Sequence, residues 1–201
     1  MKNKKIPGSF LFSELWGAPA FVMLAALFVC GAIAGCFTGQ MAAGSGLAPI
    51  ERLADMLETE ARQTPGAREA LLAALGAFGW QMAALAAGWL RPASLFLSLL
   101  TLVRGFSLSF SASALLHAFG TEGIWLSLAS GGVTAVITVP CLLVTAAACF
   151  LAAQDAPRGR RGGYFYALGR YRGAVFCCTV AAMWAGALRL PFAWMIERWV
   201  L

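Results

Sequence analysis

The sequence predicts an all-α, polytopic membrane protein with about five transmembrane helices. Of its 201 residues, 60% are hydrophobic and 12% are charged, and the mean hydropathy is +0.76. A soluble domain carries about 25% charged residues, so this composition excludes an ordinary soluble core. Apolar runs long enough to cross a bilayer recur along the whole chain, and basic residues cluster between them. We therefore treat residues 1–201 as a single integral membrane domain.

The charged segments predict the orientation of these helices. Residues 1–16 form a polar N-terminal segment, the lead, with lysines at positions 2, 4 and 5. The longest polar stretch, residues 40–69, contains more acidic than basic residues. Because cytoplasmic loops collect Lys and Arg, the lead is expected inside and residues 40–69 outside. Residues 154–172 are expected inside as well, since one aspartate accompanies five arginines there: Arg158, Arg160, Arg161, Arg170 and Arg172.

The first apolar run, Gly17 to Thr38, has two competing interpretations. Gly31 and Gly35 are four positions apart, which favours an uncleaved helix that packs closely against a neighbour. The sequence Ile33-Ala34-Gly35-Cys36 also resembles a lipoprotein cleavage box, in which Cys36 would be acylated. The lead is long for a signal peptide and contains Glu14, so we favour the uncleaved helix.

The outer loop, residues 40–69, contains a predicted amphipathic helix over Leu47–Ala61. Its apolar residues recur at helical spacing on one face, and its charged residues lie mostly on the other. Such a helix can rest on the membrane surface, which is the interpretation we favour, or present its apolar face to a partner protein, and one helix can do both. The candidate partner-docking residues are Leu47, Ile50, Leu53 and Leu57.

Two apolar runs between Leu99 and Ala153 contain residues that plain membrane helices avoid. Arg104 and Gly105 lie within the first run, and Gly131-Gly132 and Pro140 lie within the second. Irregular backbone at membrane depth needs protein or water around it. We therefore expect interrupted helices near Arg104-Gly105 and Gly131-Gly132, with a spanning segment that starts at Val133 and kinks at Pro140.

Arg104 lies near the middle of the membrane if its run begins at the Arg91-Pro92 turn. Either the helix breaks and the arginine lines a polar pocket, or the helix tilts and the side chain snorkels to the interface. A lipid-facing arginine is costly, so we expect Arg104 to point inward. Its expected acceptors are carbonyl groups freed at Gly131-Gly132, because the membrane runs contain no acidic partner.

The stretch from VRGFSLSF to HAFGTEGIWLSLASGGVTAVITVP resembles the membrane domain of the stage II sporulation protein M family. That family carries a basic residue, a glycine and an aromatic residue, then a glycine-bearing aromatic run. A short loop with two glycines and a long helix with prolines follow. Ser109 stands where the family tends to have glycine, and Val133 stands near an earlier family proline. The matching residues are Arg104, Gly105, Phe106, Phe110, Gly120, Gly123 and Pro140.

This resemblance implies a non-enzymatic membrane scaffold that needs no cofactor. The family's membrane protein works with two peptidoglycan hydrolases, an amidase and a lytic transglycosylase, during engulfment of the forespore. The implied partners are therefore extracytoplasmic hydrolases and membrane lipids. The implied location is the bacterial cytoplasmic membrane, including the sporulation septum. Self-association into a homo-oligomer is left open.

Two other classes of function compete with a scaffold. A transporter or an ABC-type permease subunit would build a site from broken helices around Arg104, although no inverted repeat is visible. An intramembrane enzyme is disfavoured, because the single histidine and six cysteines show no spacing that pairs a nucleophile with a base. The cysteines also lack the spacing of zinc ligands, and no basic run has the pattern of a nucleic-acid site.

Overall fold

The chain forms a bundle of helices in a computed structural model, which describes residues 18–44, 67–156 and 163–188. No strand occurs in these three ranges, which confirms the all-α fold class. The helices are α1 (Pro19–Gly44), α2 (Ala67–Trp89), α3 (Ala93–Phe119), α4 (Thr121–Ser127), a π-helical segment (Leu128–Gly132), α5 (Val133–Asp155), α6 (Gly163–Leu168) and α7 (Arg172–Ala187).

Four helices are long and apolar enough to cross a membrane. Their candidate spans contain between 19 and 25 residues, close to the ~20 that a helix needs to cross the hydrocarbon. The α7 helix is apolar but has 16 described residues, and residues 189–201 lie outside the described ranges. A multi-pass membrane protein with about five transmembrane helices is consistent with this architecture. The spans are Pro19–Met41, Leu71–Trp89, Ala93–His117 and Val133–Asp155.

The outward faces of these helices are apolar. Val136 on α5 is 74% exposed, and Phe176 and Trp184 on α7 are 70% and 67% exposed. Many other large apolar side chains are also exposed along α1, α2 and α3. A soluble protein rarely presents so much contiguous apolar surface, whereas the acyl chains of a bilayer would cover it.

The centre of the bundle is α5. In the most apolar 18-residue stretch of α5, 56% is buried, compared with 17% to 28% in the corresponding stretches of the other three candidate spans. Every residue from Leu142 to Cys149 is buried, and this row packs in one core with Leu24 of α1, Ala84 of α2 and Leu97 of α3. The α7 helix also packs against this row. Small residues dominate the row, and they allow several helices to approach α5 at once.

The chain reverses direction at Gly120, between α3 and α4. Gly120 has a φ of +58°, a left-handed conformation that glycine adopts without steric cost. Gly123 then lies against the backbone carbonyl of Leu115, so α4 packs back on the last turns of α3. The two glycines of the predicted short loop therefore make the turn and the close contact that follows it.

The structure corrects one expected interruption and refines the other. The α3 helix passes through Arg104-Gly105 without a break, so the interruption expected there is wrong. At Gly131-Gly132 the α-helix changes to a π-helical segment instead of breaking, and α5 begins at Val133 as the sequence predicts. Pro140 lies inside α5, and the kink expected there stays a prediction.

Several sequence predictions fall on residues outside the described ranges. These are the cytoplasmic lead, the amphipathic helix with its four docking candidates, and Arg158, Arg160 and Arg161. The described helices shorten the predicted outer loop, since α1 continues to Gly44 and α2 begins at Ala67. Helix α6 lies inside the predicted basic loop, residues 154–172.

Candidate functional site

The candidate site lies on α3 and begins with its contact to α1. Gly31 and Gly35 of α1 lie against the backbone carbonyls of Leu102 and Phe106 of α3, respectively. A Cβ atom at either glycine would overlap these carbonyl oxygens, so only glycine fits. Contacts on both helices advance together along the chain, so α1 and α3 are parallel. The close packing predicted for Gly31 and Gly35 is therefore present.

Gly105 of α3 completes this contact, which we call the glycine seam and define as Gly31, Gly35, Gly39 and Gly105. Gly105 faces the backbone carbonyl of Phe28, so the close approach is reciprocal. Near Gly39, the Ser113 hydroxyl donates a hydrogen bond to the Cys36 carbonyl at 3.2 Å. The Cys36 carbonyl is thus part of helix packing at the end of the seam.

Arg104 lies on α3 beside the seam and contacts α2. Its guanidinium carbon lies 4.9 Å from the ring centroid of Trp80, which is the geometry of a cation–π interaction. The Arg104 side chain is half-buried, and its own backbone carbonyl accepts a hydrogen bond from the Ser107 hydroxyl at 3.1 Å. Trp80 is also partly buried. The arginine therefore meets an aromatic face near the middle of the candidate span Ala93–His117.

This arrangement corrects the partner that we expected for Arg104. The guanidinium faces the ring of Trp80, and no hydrogen bond joins it to the π-helical segment in the described part of the chain. The Gly131 carbonyl has a local donor instead, because the Thr134 hydroxyl lies 2.9 Å from it. The Val133 amide donates to the Leu128 carbonyl, so the π-helical segment satisfies its backbone internally.

The remaining residues that carry the family resemblance have structural positions in the fold. Phe106 and Phe110 stack on one face of α3, with ring centroids 5.8 Å apart and an interplanar angle of 11°. Both residues also lie where α3 contacts the seam, Phe106 opposite Gly35 and Phe110 opposite Gly39. The structure therefore brings Arg104, Gly105, Phe106 and Phe110 together, whereas Gly131 and Gly132 lie on the opposite side of the Gly120 turn.

Three polar side chains in the bundle interior have unpartnered atoms. Gln81 of α2 is 1% exposed, and its Oε1 has no hydrogen-bond partner in the described residues. The hydroxyls of Thr138 and Thr145 on α5 also lack partners there. A glutamine within a membrane helix is typical of an interhelical hydrogen bonder, so the residue type marks Gln81 but not the threonines. Helical threonines often bond to their own backbone, so the residue type alone does not mark them.

The other side chains with reactive potential do not form a chemical centre in the described ranges. The cysteines are free thiols, and no group of three or more His, Cys, Asp or Glu residues is placed to hold a metal ion in these ranges. The site therefore consists of one cation, an aromatic ring and a close backbone contact. This arrangement can hold helices together and can position a half-buried charge.

In comparisons with protein-family models, curated proteins and solved structures, the chain matches none of them. The resemblance to the stage II sporulation protein M family therefore stays a prediction.

Proposed function

We propose that this chain is a non-enzymatic membrane scaffold that holds extracytoplasmic partner proteins at the bacterial cytoplasmic membrane. The observation that supports this proposal most is the glycine seam. Backbone contact over Gly31, Gly35 and Gly105 fixes α1 against α3 across the membrane interior. Helices packed this closely favour a rigid scaffold, which we call the platform, over a transporter whose helices must move.

In this proposal, the loop that follows α1 lies outside the cell and uses such a platform. The loop begins after Gly44, and the hydrogen bond from Ser113 to the Cys36 carbonyl joins this last part of α1 to α3. A partner that binds the loop would be held by a helix whose position is fixed. The candidate contacts are Leu47, Ile50, Leu53 and Leu57, which share one predicted face.

The proposed orientation places the N-terminus and residues 154–172 in the cytoplasm. In support, Tyr164 of α6 donates a hydrogen bond to the Leu85 carbonyl near the end of α2, at 3.1 Å. The Trp89 and Phe165 rings also meet, with centroids 6.3 Å apart. These contacts bring Arg91 and the α6 region, which Arg170 and Arg172 follow, to one end of the bundle, as the positive-inside rule requires.

A cysteine-labelling experiment tests this orientation. Single cysteines at Glu58 and Gly162, in a cysteine-free background, would be treated with a membrane-impermeant reagent in intact cells. We expect labelling at position 58 and protection at position 162, because Lys and Arg favour the cytoplasmic side. Labelling at position 162 in intact cells would contradict the orientation, and labelling of that position in lysed cells is the control.

Peptidoglycan hydrolases are the partners that we propose, on the strength of the family resemblance alone. A photo-crosslinking residue at Ile50 should capture an amidase or a lytic transglycosylase in native membranes. Changing Leu53 and Leu57 to aspartate should reduce this capture at least about tenfold, since two buried apolar side chains are worth more than 1.4 kcal/mol. The matched control places aspartates on the predicted polar face, at Arg52 and Arg62. Unchanged capture by the Leu53/Leu57 variant at normal protein levels would overturn the docking role.

A transporter or permease subunit is the second candidate. The unpartnered atoms of Gln81, Thr138 and Thr145 favour it, because a transport site needs buried polar groups. The continuous α3 helix disfavours it, since the carrier interpretation used a break at Arg104-Gly105. Anion flux into proteoliposomes that depends on Arg104 would favour transport over the scaffold.

A further inference from the structure

An apolar groove lies on the outer surface of the bundle between α2 and α7. It has a volume of about 490 Å³. Phe78 and Met82 of α2 form one wall, and Phe176 and Met183 of α7 form the other. Helix α6 closes one end of this α2–α7 groove through Phe165. The groove thus has apolar side walls and one closed end.

The closed end of the groove carries a charge. Arg172 is the one charged side chain among the residues that line the groove, and it lies at the start of α7 next to α6. Arg172 is exposed and makes no ion pair with another residue in the described ranges. Its guanidinium is therefore available to a ligand that occupies the groove.

The length of the groove corresponds to one leaflet of a bilayer. The α7 residues that line it run from Arg172 to Met183, roughly 16 Å along a helix at 1.5 Å per residue. The hydrocarbon core of a bilayer is about 30 Å thick, so this distance is close to half of it. A lipid with its headgroup at Arg172 would therefore reach its chain end near Phe78 and Met183, at the midplane.

The closed end is built by specific contacts to α2. The Tyr164 hydroxyl donates to the Leu85 carbonyl at 3.1 Å, and Tyr164 meets Phe165 edge-on with ring centroids 5.4 Å apart. Burial raises the pKa of the Tyr164 phenol, so it stays protonated and keeps its donor near neutral pH. These contacts hold α6 against α2 and position Phe165 at the closed end of the groove.

We infer that the α2–α7 groove binds an anionic phospholipid, with an acyl chain between α2 and α7 and its phosphate at Arg172. A guanidinium matches a phosphate with two parallel hydrogen bonds, which favours arginine for this contact. A phosphatidylglycerol headgroup leaves the phosphate charge uncompensated, whereas phosphatidylcholine carries its own cation. The groove is therefore expected to prefer phosphatidylglycerol. This site is independent of the proposed scaffold function.

Native mass spectrometry of the delipidated full-length protein in detergent tests this inference. Phosphatidylglycerol and phosphatidylcholine would be titrated separately onto the wild-type chain. We expect one phosphatidylglycerol to bind at least about fivefold more tightly than phosphatidylcholine, since one basic residue is worth about 1 kcal/mol toward an anionic lipid. Equal binding of the two lipids would mean annular lipid only and would overturn the inference.

Arg172→Gln should remove this preference. Arg170→Gln is the matched control, because Arg170 is also exposed and lies two residues earlier without lining the groove. The control should keep the wild-type preference. An unchanged preference in Arg172→Gln, or an equal loss in both variants, would overturn the assignment of the phosphate to Arg172.

A second pair of variants tests the position of the acyl chain. Val180→Trp places a large side chain in the groove and should weaken phosphatidylglycerol binding at least about fivefold, by steric overlap with a chain. Cys177→Trp is the control on the same helix, since Cys177 is exposed and does not line the groove. Circular dichroism would check that both variants fold. Full binding by folded Val180→Trp would overturn the site, as would failure of the wild-type groove to bind either lipid.

Discussion

Gly105 and Gly131 differ in what lies beside them, although both occur within apolar membrane runs. Gly105 has the carbonyl of Phe28 directly against it, and the α-helix continues through it unchanged. At Gly131 no described atom outside its own local backbone lies within 4 Å of where a Cβ would be, and the helix there is π-helical. The comparison shows that a glycine alone does not interrupt an α-helix. The α-helix continues at the glycine that packs against a neighbouring helix, and it becomes π-helical at the glycine that does not.

The difference between the two positions has an energetic reason, which is the free-energy cost of placing glycine inside a helix. Glycine is about 1 kcal/mol less favourable than alanine in a helix interior. At Gly105 the close approach of α1 offsets this cost through packing between the two backbones. At Gly131 no such contact is present within the described ranges. The π-helical geometry there is satisfied by local hydrogen bonds, including the one from Thr134.

The largest effect is expected from Gly105→Ala. A single Cβ would overlap the Phe28 carbonyl, so α1 and α3 would have to separate along the glycine seam. We expect a loss of about 2 kcal/mol in the free energy of unfolding, because backbone cannot yield as a side chain does. Reversible unfolding in mixed micelles, followed by circular dichroism, measures this change. Wild-type stability of the variant would show that the seam is looser than described.

An intermediate effect is expected from removing the contact between Arg104 and Trp80. A double-mutant cycle with Arg104→Leu and Trp80→Leu should give a coupling energy of about 1 kcal/mol, as expected for a cation–π pair that is only half-buried. Arg104→Lys should keep part of the coupling, because lysine keeps the charge but loses the planar stack. The same unfolding assay measures the stability of the wild type, the two single variants and the double variant.

Arg104→Leu should still insert into the membrane at least as well as the wild type. Its level in the membrane fraction is therefore the control for the cycle. A coupling energy of zero would indicate that Arg104 reaches the interface by snorkelling and that its contact with Trp80 contributes nothing.

The smallest effect is expected from Gly131→Ala, the same substitution as at Gly105. The added methyl group meets open space, so it should stabilise the helix by at most about 1 kcal/mol. Alanine is therefore expected to lower the free energy of unfolding at position 105 and to raise it at position 131, and this difference tests the comparison most directly. If Gly131→Ala destabilised the protein as much as Gly105→Ala does, an additional contact at Gly131 would have to exist.

The sequence predicts the local features of this fold better than the pairing of its helices. Val133 begins α5 as expected, directly after the π-helical segment that ends at Gly132. The tight contact of Gly31 and Gly35 also follows from their spacing. The break at Arg104-Gly105 was a wrong prediction, because the sequence does not show that Phe28 lies opposite Gly105.

The partner of Arg104 could not be predicted for a related reason. Several tryptophans occur in the apolar runs, and nothing in their spacing selects Trp80. The choice depends on how α2 and α3 pack, which is set by many weak contacts along both helices. The central position of α5 in the bundle could not be predicted from the sequence either. Its small buried residues are typical of helix packing, but they do not specify how many neighbours surround it.

The parallel orientation of α1 and α3 has a consequence for how the protein is made. Two parallel membrane helices must be separated by a helix of opposite direction, so α2 has to be synthesised before α3 can reach α1. At about 5–20 residues per second, the roughly 65 residues between Gly39 and Gly105 take several seconds to translate. During that interval the glycine face of α1 lacks its final neighbour, and lipid or the insertion machinery must cover it.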